Sequence, residues 1–376
     1  GDFVTMSPWL DRLQGIIGSG KYLLTAYQQP TDEIEATTIP IPELSFNDAK
    51  ALLNHQAEIT GAPAFHGAKE EDLRDLYDVV GGHPLALRLI PRLVRMYSLP
   101  EILLGWQTVQ SGRIADVYQS VYDDLWHMLL PAEKQLLSIM PLATQTGATL
   151  AYLLAICGLP QEQLRSGLTR LIECCLVEPQ GNLYERRYAI HRLTTQYVLN
   201  RANAETSHFP SVPLMENALA YWKQYLAQLS DRERHLLDRE QGNLALALQF
   251  SLTLSDEEIT PLIRSVWQDL FTYLFRYIEQ RGYAAMWLPF LEKISDKFSG
   301  FTSICCHLLN RLGELYRLNH QLQEAMALHH RVLDLAQQGE ETGEIAQAYL
   351  NLGNDYLLNR QYTEAIEYGI FALEQF

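Results

Sequence analysis

Gly15-Ile-Ile-Gly-Ser-Gly20-Lys21 fills the first seven places of the pattern G-x-x-x-x-G-K-S/T. In that pattern backbone amides cradle phosphates and the lysine reaches the β and γ oxygens. The eighth place needs a small hydroxyl to ligate Mg²⁺, and Tyr22 carries its phenol too far from the backbone. The neighbouring elements decide the matter, because a phosphate loop leaves a buried strand and opens a helix whose N-terminus faces the anion. Here the order is reversed. Ser7 and Pro8 are fit to open a helix that carries Trp9, Leu10 and Leu13 on one face, and the short apolar run KYLLTAY follows the glycines as a strand. Helix, glycine turn, strand is the wrong polarity, so the glycines are read as the turn before a core strand. His83, Cys157 and the adjacent pairs Cys174-Cys175 and Cys305-Cys306 have no evident base or metal partner in the sequence.

Composition excludes several classes. The formal net charge of −16 repels nucleic acid and anionic membranes, and the densest basic cluster, Arg186, Arg187 and Arg192, is matched by Glu173, Glu178 and Glu185. No run has the roughly 18 apolar residues of a membrane helix. Five cysteines, an odd number without C-x-x-C spacing, argue for free thiols in a reducing cytoplasm, with neither a disulfide framework nor a zinc site. A length of 376 residues accommodates several domains, and the chain reads as a piece of a longer protein.

The pattern along the chain is mainly α, in five parts. Residues 1–43 read as the end of an α/β domain. Residues 44–112 form a helical unit, with Ser45 as N-cap, Asp48 in a capping-box variant, and Leu73, Leu76 and Val80 on one apolar face. Gly81-Gly82 end that face's helix by supplying positive φ, and Pro84 opens the next. Residues 113–205 read as three helices, one starting at Pro131, followed by two strands around Gly181-Asn182. That is a winged helix, in which few basic side chains favour an interdomain role over DNA reading. Residues 206–300 read as a helical linker or degenerate repeats, and Trp267, Phe271, Leu274, Phe275 and Ile278 make a core stripe or, on the other reading, part of a peptide groove. Residues 301–376 repeat themselves. At an offset of 40 residues Leu312/Leu352, Gly313/Gly353, Tyr316/Tyr356, Asn319/Asn359 and Ala325/Ala365 fall in register. The spacing of Leu, Gly, Tyr and Ala resembles the tetratricopeptide repeat, whose usual period is about 34 residues.

Taken in order, KYLLTAY, IPIPELSFNDAKALL, GGHPLAL and YAIHRLTTQYV resemble the sensor strand, linker, Gly-x-Pro motif and winged-helix histidine motif of the NB-ARC or STAND nucleotide-switch ATPases. The resemblance spans essentially the whole chain, and the order of modules is more specific than any one motif. It implies that Thr25, Tyr27, Gly82, Pro84, Leu85 and His191 border ADP or ATP, with Mg²⁺ held elsewhere in the parent protein. Pro84 would lie against adenine, His191 would hydrogen-bond the β-phosphate of ADP, and Thr25 would lie towards the γ-phosphate. Each has a plainer use: a proline after glycines starts helices, and a lone histidine is often a satisfied structural residue.

Two departures matter. Tyr27 stands where the family has a sensor arginine, and on this alignment the chain would begin after the phosphate loop and the Mg²⁺-binding strand. This chain alone is therefore not expected to bind nucleotide tightly or to hydrolyse it. The implied function is the regulatory part of a switch. It would be closed with ADP, it would hold a protein or peptide ligand on its repeats, and in the parent protein it would control self-association and an N-terminal effector. The alternative is a non-catalytic winged-helix and repeat scaffold, which Tyr27 favours.

Overall fold

In a computed structural model, residues 39 and 41–375 are described, apart from 63–64, 66, 81, 95–96, 108–113, 183, 207–208, 231 and 340. The glycine run 15–20, the sensor strand and all of the expected α/β segment 1–43 except residues 39 and 41–43 lie outside the described residues.

The helix starts follow local chemistry. Helix α1 (Phe46–Thr60) is capped by Ser45, whose Oγ accepts from the Asp48 amide at 3.3 Å and donates to its carboxylate at 2.6 Å. Helix α2 (Glu70–Val80) buries Leu73, Leu76 and Val80, the apolar face read from the sequence. Pro84 takes the first position of α3 (Pro84–Leu93), where its missing N–H costs nothing. Helices α4 (Leu99–Gln107) and α5 (Ile114–Met128) complete this group, with α1 against α3 and α5 against both α2 and α3.

Helix α6 (Pro131–Ile139) starts at the expected proline, and the Glu133 carboxylate accepts from the Leu130 amide at 2.8 Å, satisfying a helix-entry donor. Strand β1 (Ala148–Thr149), α7 (Leu150–Cys157), α8 (Gln161–Glu173), β2 (Glu178–Gly181) and β3 (Arg186–Ala189) follow. The sheet order is β1-β3-β2, antiparallel throughout, with Glu178 opposite Ala189 and Ala148 opposite Tyr188. This is the helix and strand order of a winged helix. The hairpin turns at Gly181, whose φ of +91° suits a residue without a side chain. The two-residue strand β1 has no counterpart in the sequence reading.

Helix α9 (Arg192–Thr206) leads out of the sheet to α10 (Val212–Gln228), α11 (Leu237–Ser251), α12 (Pro261–Arg281) and α13 (Ala284–Lys297). Trp222, Trp267 and Phe271 are fully buried here, as are Leu274 and Ile278. Each large apolar side chain so buried stabilises by about 1.5–3 kcal/mol. The aromatic stripe is thus the core, as the first of the two sequence readings held.

Two helical hairpins close the chain: α14 (Thr302–Leu318) with α15 (Leu322–Gly339), and α16 (Thr342–Leu358) with α17 (Tyr362–Gln375). Their turns are superimposable in chemistry. His320 and Arg360, 40 residues apart, adopt φ of 63° and 62°. The preceding asparagines, Asn319 and Asn359, donate to Gln321 and Gln361. The two glycines at the helix crossing differ. A Cβ on Gly313 would fall 2.3 Å from His329 Nε2, whereas one on Gly353 would have nothing nearer than 3.4 Å. His329 is fully buried, with Nδ1 2.6 Å from Asp355 and Nε2 3.2 Å from the Asn310 carbonyl oxygen. Asp355, also fully buried, takes a second bond from Arg317 at 3.0 Å.

Candidate functional site

Of the sequence-predicted residues that are described, Gly82, Pro84 and Leu85 lie at the start of α3 and His191 lies at the strand-to-helix junction after β3, across the seam that Arg88 and Glu178 bridge, where the charges of His83, Arg88 and Glu178 act on it. Thr25 and Tyr27 lie outside the described residues. Gly82 sits where residues 43–44 cross the start of α3. Its carbonyl accepts from the Leu44 amide at 2.9 Å, and its amide donates to the Glu43 carboxylate at 3.3 Å. A Cβ there would lie 2.1 Å from the Leu44 carbonyl oxygen. The expectation of positive φ at Gly82 is corrected: it is not among the residues with positive φ. Its side chain is excluded by the close approach of another backbone.

His83 precedes Pro84 in extended conformation, φ −77° and ψ 118°, as the steric demand of the proline ring requires. Pro84 is exposed, so its ring is free to meet a flat partner, while Leu85 points into the core and is 5% exposed.

His191 begins the turn into α9. Its Nδ1 accepts from the Leu193 amide at 3.2 Å, and its carbonyl accepts from the Thr195 amide at 2.9 Å. With Nδ1 used as an acceptor, the neutral ring carries its proton on Nε2, which is then the donor. Burial holds both His83 and His191 below the usual imidazole range. Glu178 opposes this at His191, while His83, Arg192 and Arg88 reinforce it; Glu43 opposes it at His83. At neutral pH the seam therefore presents an uncharged N–H donor.

Across the same seam Arg88 on α3 donates to Glu178 on β2 at 3.0 Å. Both partners are more than a third exposed, so this bond fixes register more than it adds stability. Further along, the Tyr122 and Thr194 hydroxyls lie 2.9 Å apart, and Asp123 accepts from Tyr197 at 2.8 Å and from Arg201 at 3.3 Å.

The sequence reading missed the strongest polar joint. Arg187 on β3, one of the basic cluster, donates to both Glu240 oxygens at 2.6 and 2.9 Å, to the Gly147 carbonyl at 2.9 Å and to Glu185 at 2.9 Å. Asn243 completes it, accepting from the Thr144 amide at 2.8 Å and donating to Gly147 at 3.0 Å. Arg187 and Glu240 are nearly buried, and they join the winged helix to α11. The one available signal was strand alternation, which turns Arg187 inward when Arg186 faces out.

The cysteines are free thiols. Cys157, Cys174, Cys305 and Cys306 are buried, and burial pushes the Cys306 thiol up to about 12. Such groups are poor nucleophiles at neutral pH. No helix among the described residues is long and apolar enough to cross a membrane.

Residues 303–375 match the tetratricopeptide repeat family model, which covers both terminal hairpins. No curated protein matches the chain. Among solved structures, a signal transduction ATPase with numerous domains (STAND) protein with a tetratricopeptide repeat sensor, from Pyrococcus horikoshii, is similar at 14% identity and a TM-score of 0.29. The match covers 89% of this chain and 60% of that one, so the chain spans less than two thirds of its neighbour's length. A superposition so loose settles neither fold nor function.

Proposed function

We propose that this chain is the regulatory part of a nucleotide switch of the STAND or NB-ARC kind, closed by ADP at the α3 and α9 seam and sensing a protein or peptide ligand on its helical repeats. The observation that carries the reading is the seam itself. An exposed Pro84 and the Nε2 donor of His191 belong to separate helical units tied there by Arg88 and Glu178. The residues present fit such a group: a rigid apolar ring for a base, and a neutral N–H donor for a phosphate oxygen. When bound, ADP supplies a flat base and a diphosphate that can be gripped from two domains at once.

His191 holds one proton at Nε2 and donates it without changing charge. Pro84 contributes a flat contact with no competing amide. Gly82 keeps residues 43–44 against the start of α3, and so fixes how the segment from the preceding domain arrives. Thr25 and Tyr27 belong to the same site by resemblance, with Mg²⁺ held outside this chain. A switch needs a ligand with different affinity for two states, and a grip shared between domains meets that need, because it exists only when they are closed.

The test is nucleotide extraction. The intact protein, purified without added nucleotide and denatured, is expected to release close to one ADP per chain, and His191→Ala is expected to release far less. Intact protein that carries none would sink the reading. The scaffold alternative, favoured by Tyr27 in the sensor place, expects that result together with retained partner binding by the repeats.

A further inference from the structure

We infer that the cavity between α10 and α12 is a receptor for one acidic side chain of a peptide ligand, with Arg276 as the residue that reads its charge. This deepens, and rests on, the reading of the helical array as a ligand-holding surface. The cavity, of about 120 Å³, is lined by Leu226, Leu229, Arg234, Tyr273, Arg276 and Tyr277 among others. None of the described residues lining it is acidic. In a chain of net charge −16, the described lining of this pocket carries two guanidinium groups and no carboxylate.

Two of the acids near the pocket are held by other groups, while Glu279, one turn on from Arg276, faces a second cavity. Glu233 accepts from the Ser230 hydroxyl at 2.6 Å, and Asp238 is held by Arg281 and by Tyr277. Arg276 is exposed and has no ion-pair or hydrogen-bond partner among the described residues, so its guanidinium is available to a ligand. Tyr273, one turn earlier on α12, shares that face and also lines the pocket. A guanidinium fork suits a carboxylate, and the leucines of the lining suit the methylenes of a glutamate. The volume is a few times the roughly 30 Å³ share of one water molecule, which matches a side-chain head and not a nucleotide.

Continuity beyond the pocket argues for a peptide. Arg276 also lines a second cavity of about 170 Å³ between α12 and α14, together with Thr272, Glu279, Arg311, Glu314 and Leu318. There Arg311 is paired with Glu314 at 2.8 Å, so the second cavity is close to neutral and polar, suited to backbone and uncharged side chains. Two cavities sharing one arginine make a track of alternating character along the helices, the kind of surface an extended chain follows.

The experiment uses the whole chain and two fluorescein-labelled peptides at low salt, one with two adjacent glutamates flanked by leucines and the other with glutamines in their place. The glutamate peptide is expected to bind at least about tenfold more tightly, the usual order for a hydrogen bond to a charged group. Arg276→Gln should erase that difference, while Arg186→Gln, an exposed arginine on the wing, should leave it. Equal binding of the two peptides, no binding of either, or equal loss in both variants would overturn the proposal. Displacement by inorganic phosphate at the concentration that free glutamate requires would also overturn it, by showing a general anion site. Because ADP retention is read separately, failure here leaves the nucleotide reading standing.

Discussion

Gly313→Ala and Gly353→Ala are the same substitution at corresponding places of the two hairpins, and the structure gives them opposite signs. At Gly353 the new methyl finds ordinary contact, nothing nearer than 3.4 Å. The change then stabilises by the helix preference of alanine over glycine, about 0.5–1 kcal/mol. At Gly313 the methyl meets His329 Nε2 at 2.3 Å, while favourable separations are about 3.5–4.0 Å, so the ring must retreat by about 1 Å or more. It has nowhere to go, since His329 and Asp355 are both at 0% exposure and bonded to each other. Overpacking of this kind costs about 1–3 kcal/mol. After the helix gain the net loss is about 1–2 kcal/mol, and the two variants should differ by about 2 kcal/mol or more. A chain of several units does not unfold in one step, so the assay is native-state hydrogen exchange of the α14 to α17 amides, which cover both hairpins, followed by mass spectrometry. A gap of 2 kcal/mol corresponds to about thirtyfold in the opening equilibrium. Equal protection in the two variants, or a loss at Gly353→Ala as large as at Gly313→Ala, would refute the argument.

Removing one partner of the buried joint, as in Arg187→Met, should cost about 3–5 kcal/mol. Arg187→Met with Glu240→Leu should recover most of it in a double-mutant cycle read by native-state hydrogen exchange of β3 and α11 amides. Gly82→Ala should break the bond from the Leu44 amide to the residue 82 carbonyl, raising exchange at Leu44 selectively. The two seam histidines predict a pH effect. Their folded-state values lie below the ordinary 6.5, so the unfolded chain binds more protons as the pH falls through that value. The stability they permit is therefore full above about pH 6.5 and is lost as pH falls towards their folded values. Urea midpoints at pH 7.5 and 5.5 should draw closer in His83→Gln with His191→Gln than in the unaltered protein; an unchanged gap would remove the histidines from the explanation.

Signals written within one turn of chain were legible. Ser45, Pro84 and Pro131 announce helix starts because caps and proline act on their own backbone, and Gly181 marks the hairpin for the same reason. The terminal hairpins were legible through self-similarity. What failed was whatever depends on residues far along the chain. Gly82 looked like a residue chosen for its backbone angle, but the atom that excludes its side chain belongs to Leu44. Arg187 looked like a surface base because Glu240 stands 53 positions away. Of the candidate site, the order of Pro84 and His191 came from resemblance, while the nearness of His83, Arg88 and Glu178 to His191 needed the packing of α3 on the sheet.

The bond from His329 to Asp355 has a consequence for how this array could evolve. The histidine sits only in the first hairpin, where the second has Gly369, and the aspartate sits only in the second, where the first has Leu315. Two first hairpins in tandem would bury an imidazole against leucine, and two second hairpins would bury a carboxylate against glycine. Only first followed by second satisfies both groups. Duplication or recombination that shuffled these units would leave a charged or polar group stranded, so their order is enforced by chemistry and each hairpin carries the address of its neighbour.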